Sequence, residues 1–203
     1  MGICPLVESA ARIPALAAAG ARYAQLRCKS KDRAFIEAEI TKAAALARAS
    51  GLRLIVNDHW SYCCRQPAGF VAGVHLGQED LRGADVAAIH RKGLLLGVSA
   101  HGYAEAARAL AAAPGYVSFG PVHPTMSKVL EHPPLGIEGF ARLCRGLPVP
   151  AIAIGGIKPA TLPELAAAGA AGAAAIQAAA TAAGLRELCA AWKAAAAASP
   201  PCK

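Results

Sequence analysis

Eight short apolar runs alternate with longer helical stretches from one end of this 203-residue chain to the other. The runs are residues 3–7, 23–27, 52–57, 73–76, 94–98, 116–120, 151–154 and 172–176. Helical patterns fill 10–19, 32–50, 84–91, 103–113, 139–145, 161–168 and 185–198, while the stretch at 60–67 is short and poorly periodic. Strands that are apolar along their whole length suit a parallel sheet with helices covering its outside. An open doubly wound sheet gives the same alternation, usually with five or six strands. Eight repeats therefore predict an α/β fold of the (β/α)8 TIM-barrel class, near its compact limit. The length holds one well-buried core and is short for two ordinary domains, and no linker or charge block divides it, so residues 1–203 are expected to form a single domain.

Composition narrows the partners. Apolar residues make up 55 % of the chain and charged residues 17 %, which excludes a disordered chain. The surplus of 21 basic over 13 acidic side chains gives +8 and favours anionic ligands. Those charges are scattered, and 5 % aromatic content offers few stacking platforms, so nucleic acid is not expected. Seven cysteines without a CxxC pair read as free thiols in a reducing cytoplasm. The first nine residues lack a basic segment followed by an apolar run, so no signal peptide is expected. The apolar stretches at 165–183 and 190–198 are rich in Ala and Gly, and Gln177, Thr181 and Gly184 interrupt them, so no membrane span is expected. A homo-oligomer is left open.

Chemistry in such a barrel collects at the C-terminal tips of the strands. The second strand ends in Gln25-Leu26-Arg27-Cys28-Lys29, and a period of two puts Gln25, Arg27 and Lys29 on one side. Arg27 offers a planar fork for phosphate and Lys29 a compact charge. Alternatively Lys29 opens a loop and Arg27 pairs with an acid. The third strand ends in Asn57-Asp58, and the fourth runs into Gly77-Gln78-Glu79-Asp80. Asp58 and Asp80 thus share one rim, where hard oxygen donors suit Mg2+. Either acid alone would equally serve as a helix cap; the two together beside Arg27 and Lys29 favour the metal.

Further round the rim, Ser99 is placed to bond a phosphate oxygen or to cap a helix. His101 reads as a loop residue and His75 as a satisfied core histidine. Thr125, Ser127 and Lys128 lie on a long proline-hemmed loop that suits a lid over an anion. The Gly155-Gly156 pair follows the seventh strand, where this fold habitually cradles phosphate.

The segments QLRCK, LIVNDHW, GVHLGQEDL, LGVSAH, FGPVHPTMSK, PPLGIEGF and AIAIGGI stand in the order and spacing of the thiamine-phosphate synthase family. With the opening GICPLVES, the resemblance runs from about Gly2 to the final helix. It implies the joining of 4-amino-5-hydroxymethyl-2-methylpyrimidine diphosphate to phosphorylated hydroxyethylthiazole, with release of pyrophosphate. It further implies that Arg27, Lys29, Asn57, Ser99 and Lys128 hold the diphosphate, that Asp58 and Asp80 carry Mg2+, and that Gln25 contacts the pyrimidine. Thr125, Ser127, Gly156 and the turn after the eighth strand would receive the thiazole phosphate.

Two departures stand out. Gln177 occupies the place of the family's serine after the eighth strand, and the lid reads Thr-Met-Ser-Lys where Thr-x-Thr-Lys is usual. Two rival readings follow from the same residues. A thiazole tautomerase would typically lack the acids present at 58 and 80. A non-catalytic relative that binds a thiamine precursor would be explained by Gln177.

Overall fold

The computed structural model describes residues 1–125 and 133–199. Its strands are β1 (Gly2–Val7), β2 (Tyr23–Leu26), β3 (Arg53–Asn57), β4 (Gly73–Leu76), β5 (Leu95–Ala100), β6 (Tyr116–Phe119), β7 (Ala151–Ile154) and β8 (Ala170–Ala175). They pair in sequence order, all parallel, and close into a barrel where β1 meets β8 with Cys4 opposite Ala174. Parallel neighbours need a crossover, and helices supply it in every interval. These are α1 (Ile13–Ala18), α2 (Arg33–Ala49), α3 (Trp60–Arg65), α4 (Gln78–Arg82), α5 (Val86–Arg91), α6 (Tyr103–Ala111), α7 (Gly136–Cys144) and α8 (Leu162–Ala167), with α9 (Ala182–Ala198) following the last strand. The (β/α)8 class expected from the alternation is the fold observed.

Local chemistry sets the helix starts. The Asp32 carboxylate accepts from the amides of Ala34 and Phe35 ahead of α2, Asp85 accepts from Ala88 in α5, and Thr181 accepts from Gly184 in α9. Each satisfies a donor that the first helical turn leaves without a partner. Alternate strand residues face outward and bury against these helices. Leu26, Val56, Leu76, Val98 and Phe119 meet Ile40, Ile89, Phe140 and Leu165 in one continuous apolar layer. Burying each such side chain is worth about 1.5–3 kcal/mol, so this layer supplies most of the driving force.

The same alternation turns the intervening residues inward. Gln25, His75 and Ser118 each sit between two members of the apolar layer and are themselves buried in the barrel interior. Several boundaries differ from the sequence expectation, three of them beside the site. β2 stops at Leu26, so Arg27 and Lys29 leave the strand, whereas β5 runs on to Ala100 and takes Ser99 into the sheet. Residues 78–82, read as a strand-end loop, form the additional short helix α4. The poorly periodic stretch at 60–67 does form a helix, α3. Among the described residues no helix is long and apolar enough to cross a membrane.

Candidate active site

A connected set of polar side chains crosses the barrel interior. His75 on β4 bonds the Tyr116 hydroxyl through Nδ1 at 2.9 Å and the Ser99 hydroxyl through Nε2 at 2.8 Å. Ser99 in turn lies 3.3 Å from the Ser118 hydroxyl, and the Gln25 amide reaches the same Tyr116 phenol. Gly97 makes this possible, because a Cβ there would fall 2.1 Å from Tyr116 Cζ. Burial pushes His75 down to about 4, so the ring is neutral and serves as a hydrogen-bonding strut. Two of the sequence-derived site residues, Gln25 and Ser99, are therefore joined through His75 and Tyr116. His75 is satisfied, as its place inside a strand suggested. Tyr116 escaped the sequence reading, because it begins its strand and attention to strand tips passes over it.

At the rim above this network the two acids adjoin. Asp58 follows β3, and Asp80 lies in the first turn of α4, where its Oδ2 is 3.2 Å from the place a Cβ on Gly77 would take. Burial and then the Asp80 carboxylate lift Asp58 to about 6, while Arg27 and the Asn57 amide pull it back. Asn57 Nδ2 donates to Asp58 Oδ2. Neither acid caps a helix: the residues at the caps of α3 and α4 are His59 and Gly77, without side-chain cap bonds. Asp58 also has φ 65, a left-handed backbone that few residues other than glycine, Asn and Asp take up. The strained backbone, the like charge alongside and the raised pKa all sit on one residue, as they do at sites shaped for ligands rather than for stability.

The pair fits a hard divalent cation. Two oxygen donors with surplus negative charge offer what such an ion takes from protein, and among the described residues no third acid, cysteine or histidine joins them to complete a cage. The remaining positions would fall to phosphate and water, the pattern of a Mg2+ site that works with a substrate.

Supports behind the acids also come into view. Gln78 on α4 donates to the Ser99 carbonyl at 2.7 Å and accepts from Arg108 Nε at 3.1 Å, tying the helix of Asp80 to the tip of β5. His101 bonds Glu105 at 2.8 Å and so belongs to the same outer brace. Arg27 is exposed at the mouth, close enough to act on Asp58, whereas Lys29 is exposed beyond the strand and pairs with Glu8. Such an open ion pair is worth little and gives way readily to a better anion. Gly155 and Gly156 turn with φ 93 and 65 after β7, and Thr125 is half-buried on the β6 side. Gln177 is exposed in the turn after β8. Ser127 and Lys128 lie outside the described residues.

A family model described as thiamine monophosphate synthase matches residues 3–179. The thiamine-phosphate synthase of Escherichia coli O1:K1 is 42% identical over 170 residues, covering 83% of this chain and 79% of that protein. A thiamine phosphate pyrophosphorylase from Pyrococcus furiosus superposes with a TM-score of 0.78 at 23% identity, covering 97% of this chain and 96% of the other. Another, from Bacteroides thetaiotaomicron, gives 0.64 at 17% identity over 97% of each chain. At those identities the two structures speak to the fold.

Proposed function

The chain belongs to the thiamine monophosphate synthase family, and from that premise we propose that it joins hydroxymethylpyrimidine diphosphate to hydroxyethylthiazole phosphate, forming thiamine phosphate and pyrophosphate. The observation that carries the reading is the adjoining Asp58 and Asp80 within reach of Arg27 at the barrel mouth.

In this reading Asp58 and Asp80 would hold Mg2+. When bound, the ion offsets the charge of the diphosphate and makes it a better leaving group. Arg27, Lys29, Asn57, Ser99 and Lys128 bind diphosphate oxygens, and Gln25 orients the pyrimidine ring. Thr125, Ser127, Gly156 and the turn that carries Gln177 hold the thiazole phosphate. The bond from the pyrimidine methylene to oxygen breaks, its electron pair leaves with pyrophosphate, and the thiazole nitrogen donates its pair to the methylene cation. The protein forms no covalent bond. Its contribution is to fix the nucleophile in line and to meet the departing charge with preorganised donors. The buried interior favours both, since His75 and Tyr116 hold Ser99 and Gln25 from behind. We further propose that the whole chain acts as one catalytic domain. Because Cys4, Cys28, Cys63, Cys64 and Cys189 are free thiols, we place it in the cytoplasm.

The test is a coupled assay of pyrophosphate release. Pyrophosphate and thiamine phosphate should form in equal amounts, only with both substrates, and EDTA should stop the reaction. Isomerisation of a thiazole phosphate without the diphosphate substrate would instead identify a tautomerase, and saturable binding without product would identify a binding protein.

A further inference from the structure

His123 Nε2 is the one buried side-chain nitrogen or oxygen among the described residues that has no hydrogen-bond partner. Native interiors rarely leave such an atom unmet, because desolvating it without a replacement bond is destabilising. Where one persists, a ligand that meets it is a physical explanation that can be tested.

The surroundings hold this residue in place. The Val122 and His123 amides donate to the carbonyls of Ile154 and Gly155 at 2.9 and 3.1 Å, so the chain after β6 continues alongside the end of β7. From the other side, the amides of Leu135 and Gly136 donate to the carbonyls of Pro121 and Val122, each at 2.9 Å. Val122 is fully buried, which fixes the segment further. His123 stands directly against the diglycine turn: a Cβ on Gly156 would fall 2.6 Å from His123 Cβ and 2.7 Å from the Pro124 carbonyl oxygen. Gly156 is thus required both by its positive φ and by the closeness of this side chain.

We propose that His123 is a substrate-binding residue whose Nε2–H donates to the phosphate of the thiazole substrate, seated over the Gly155–Gly156 turn. The inference rests on the function proposed above, which already puts that phosphate at Gly156. It adds a side-chain donor at the same place. A phosphate monoester suits the position because its oxygens are acceptors only in the dianionic form, and an imidazole whose Cβ packs against the glycine turn can supply it with an N–H donor.

Kinetics on the full-length protein test this with two thiazole substrates, the phosphate and the corresponding alcohol. His123→Phe should lower kcat/KM for the thiazole phosphate roughly tenfold, chiefly through KM, the usual worth of a hydrogen bond to a charged group. The KM for the pyrimidine diphosphate should stay within about twofold. His123→Gln, whose amide nitrogen can reach a similar position, should recover most of the loss. With the alcohol, wild type and His123→Phe should be equal. Equal kcat/KM for the phosphate in wild type and His123→Phe, or an equal loss with the alcohol, would overturn the role of His123 while leaving the enzyme reading intact. A wild-type protein that makes no product would overturn that reading, and this inference with it. Should His123→Phe fail to fold, nitrogen-15 NMR of the wild-type imidazoles decides. The Nε2 signal assigned to His123 by its loss in His123→Gln should move when thiazole phosphate is added, and a stationary signal contradicts the proposal.

Discussion

Asp58 concentrates the tension between stability and chemistry in one residue. Its backbone lies in the left-handed region, and its carboxylate faces a second acid. Both features act against the folded state, and both would be relieved by Asp58→Gly, since glycine adopts that backbone freely and carries no charge. In EDTA this variant should melt a few degrees higher than wild type, a gain of about 1 kcal/mol, while its turnover drops by orders of magnitude. An unchanged or lower melting temperature would mean that neither the φ nor the repulsion is felt. The sequence alone placed Asp58 and Asp80 at neighbouring strand tips, because strand order and length do that much. It could not supply the positive φ, which depends on the amide of Asp58 bonding the His75 carbonyl across to β4. Nor did it single out Gln78, whose role arises only once residues 78–82 coil into a helix facing Ser99 and Arg108.

Strands β4, β5 and β6 carry the interior polar chain, and their register decides who meets whom. Gly97 pairs with Tyr116 along the β5–β6 ladder, and the missing side chain at 97 leaves the space that the phenol fills on its way to His75. His75 then titrates far below its ordinary value of 6.5, held near 4 by burial. Between these two values the unfolded chain binds a proton at His75 that the folded chain does not. Stability at this position is therefore complete above about pH 6.5 and declines as pH falls toward 4. Urea midpoints measured from pH 7 down to 5 should fall in the wild type. His75→Asn should be less stable at pH 7 but should lose less than wild type, or gain, over the same range, because the proton that Asp58 takes up there as pH falls is common to both proteins. Parallel profiles would show that His75 is not the group responsible. Strand tips are legible from sequence because fold class assigns them to the mouth. Tyr116, at the opposite end of β6, is linked to the site only through packing that no linear pattern records.

At the scale of the whole molecule, the eightfold alternation was enough to specify the closed parallel barrel, because few other arrangements bury so many continuous apolar strands at once. The alanine-rich β8 still closes on β1 and β7, which shows that backbone pairing and small side chains suffice at that seam. The direct pairing of β3 with β4 brings the third and fourth βα units together, and with them the acids on which the proposed chemistry depends. Their joint action is tested by a double-mutant cycle on kcat/KM with Asp58→Ala, Asp80→Ala and the combined variant, each titrated with Mg2+. If the two carboxylates grip one ion against the diphosphate, either single change should cost nearly as much as both, with losses of several hundredfold or more and a raised Mg2+ requirement in each. Losses that simply multiply, or single variants with wild-type turnover and metal dependence, would contradict a shared site.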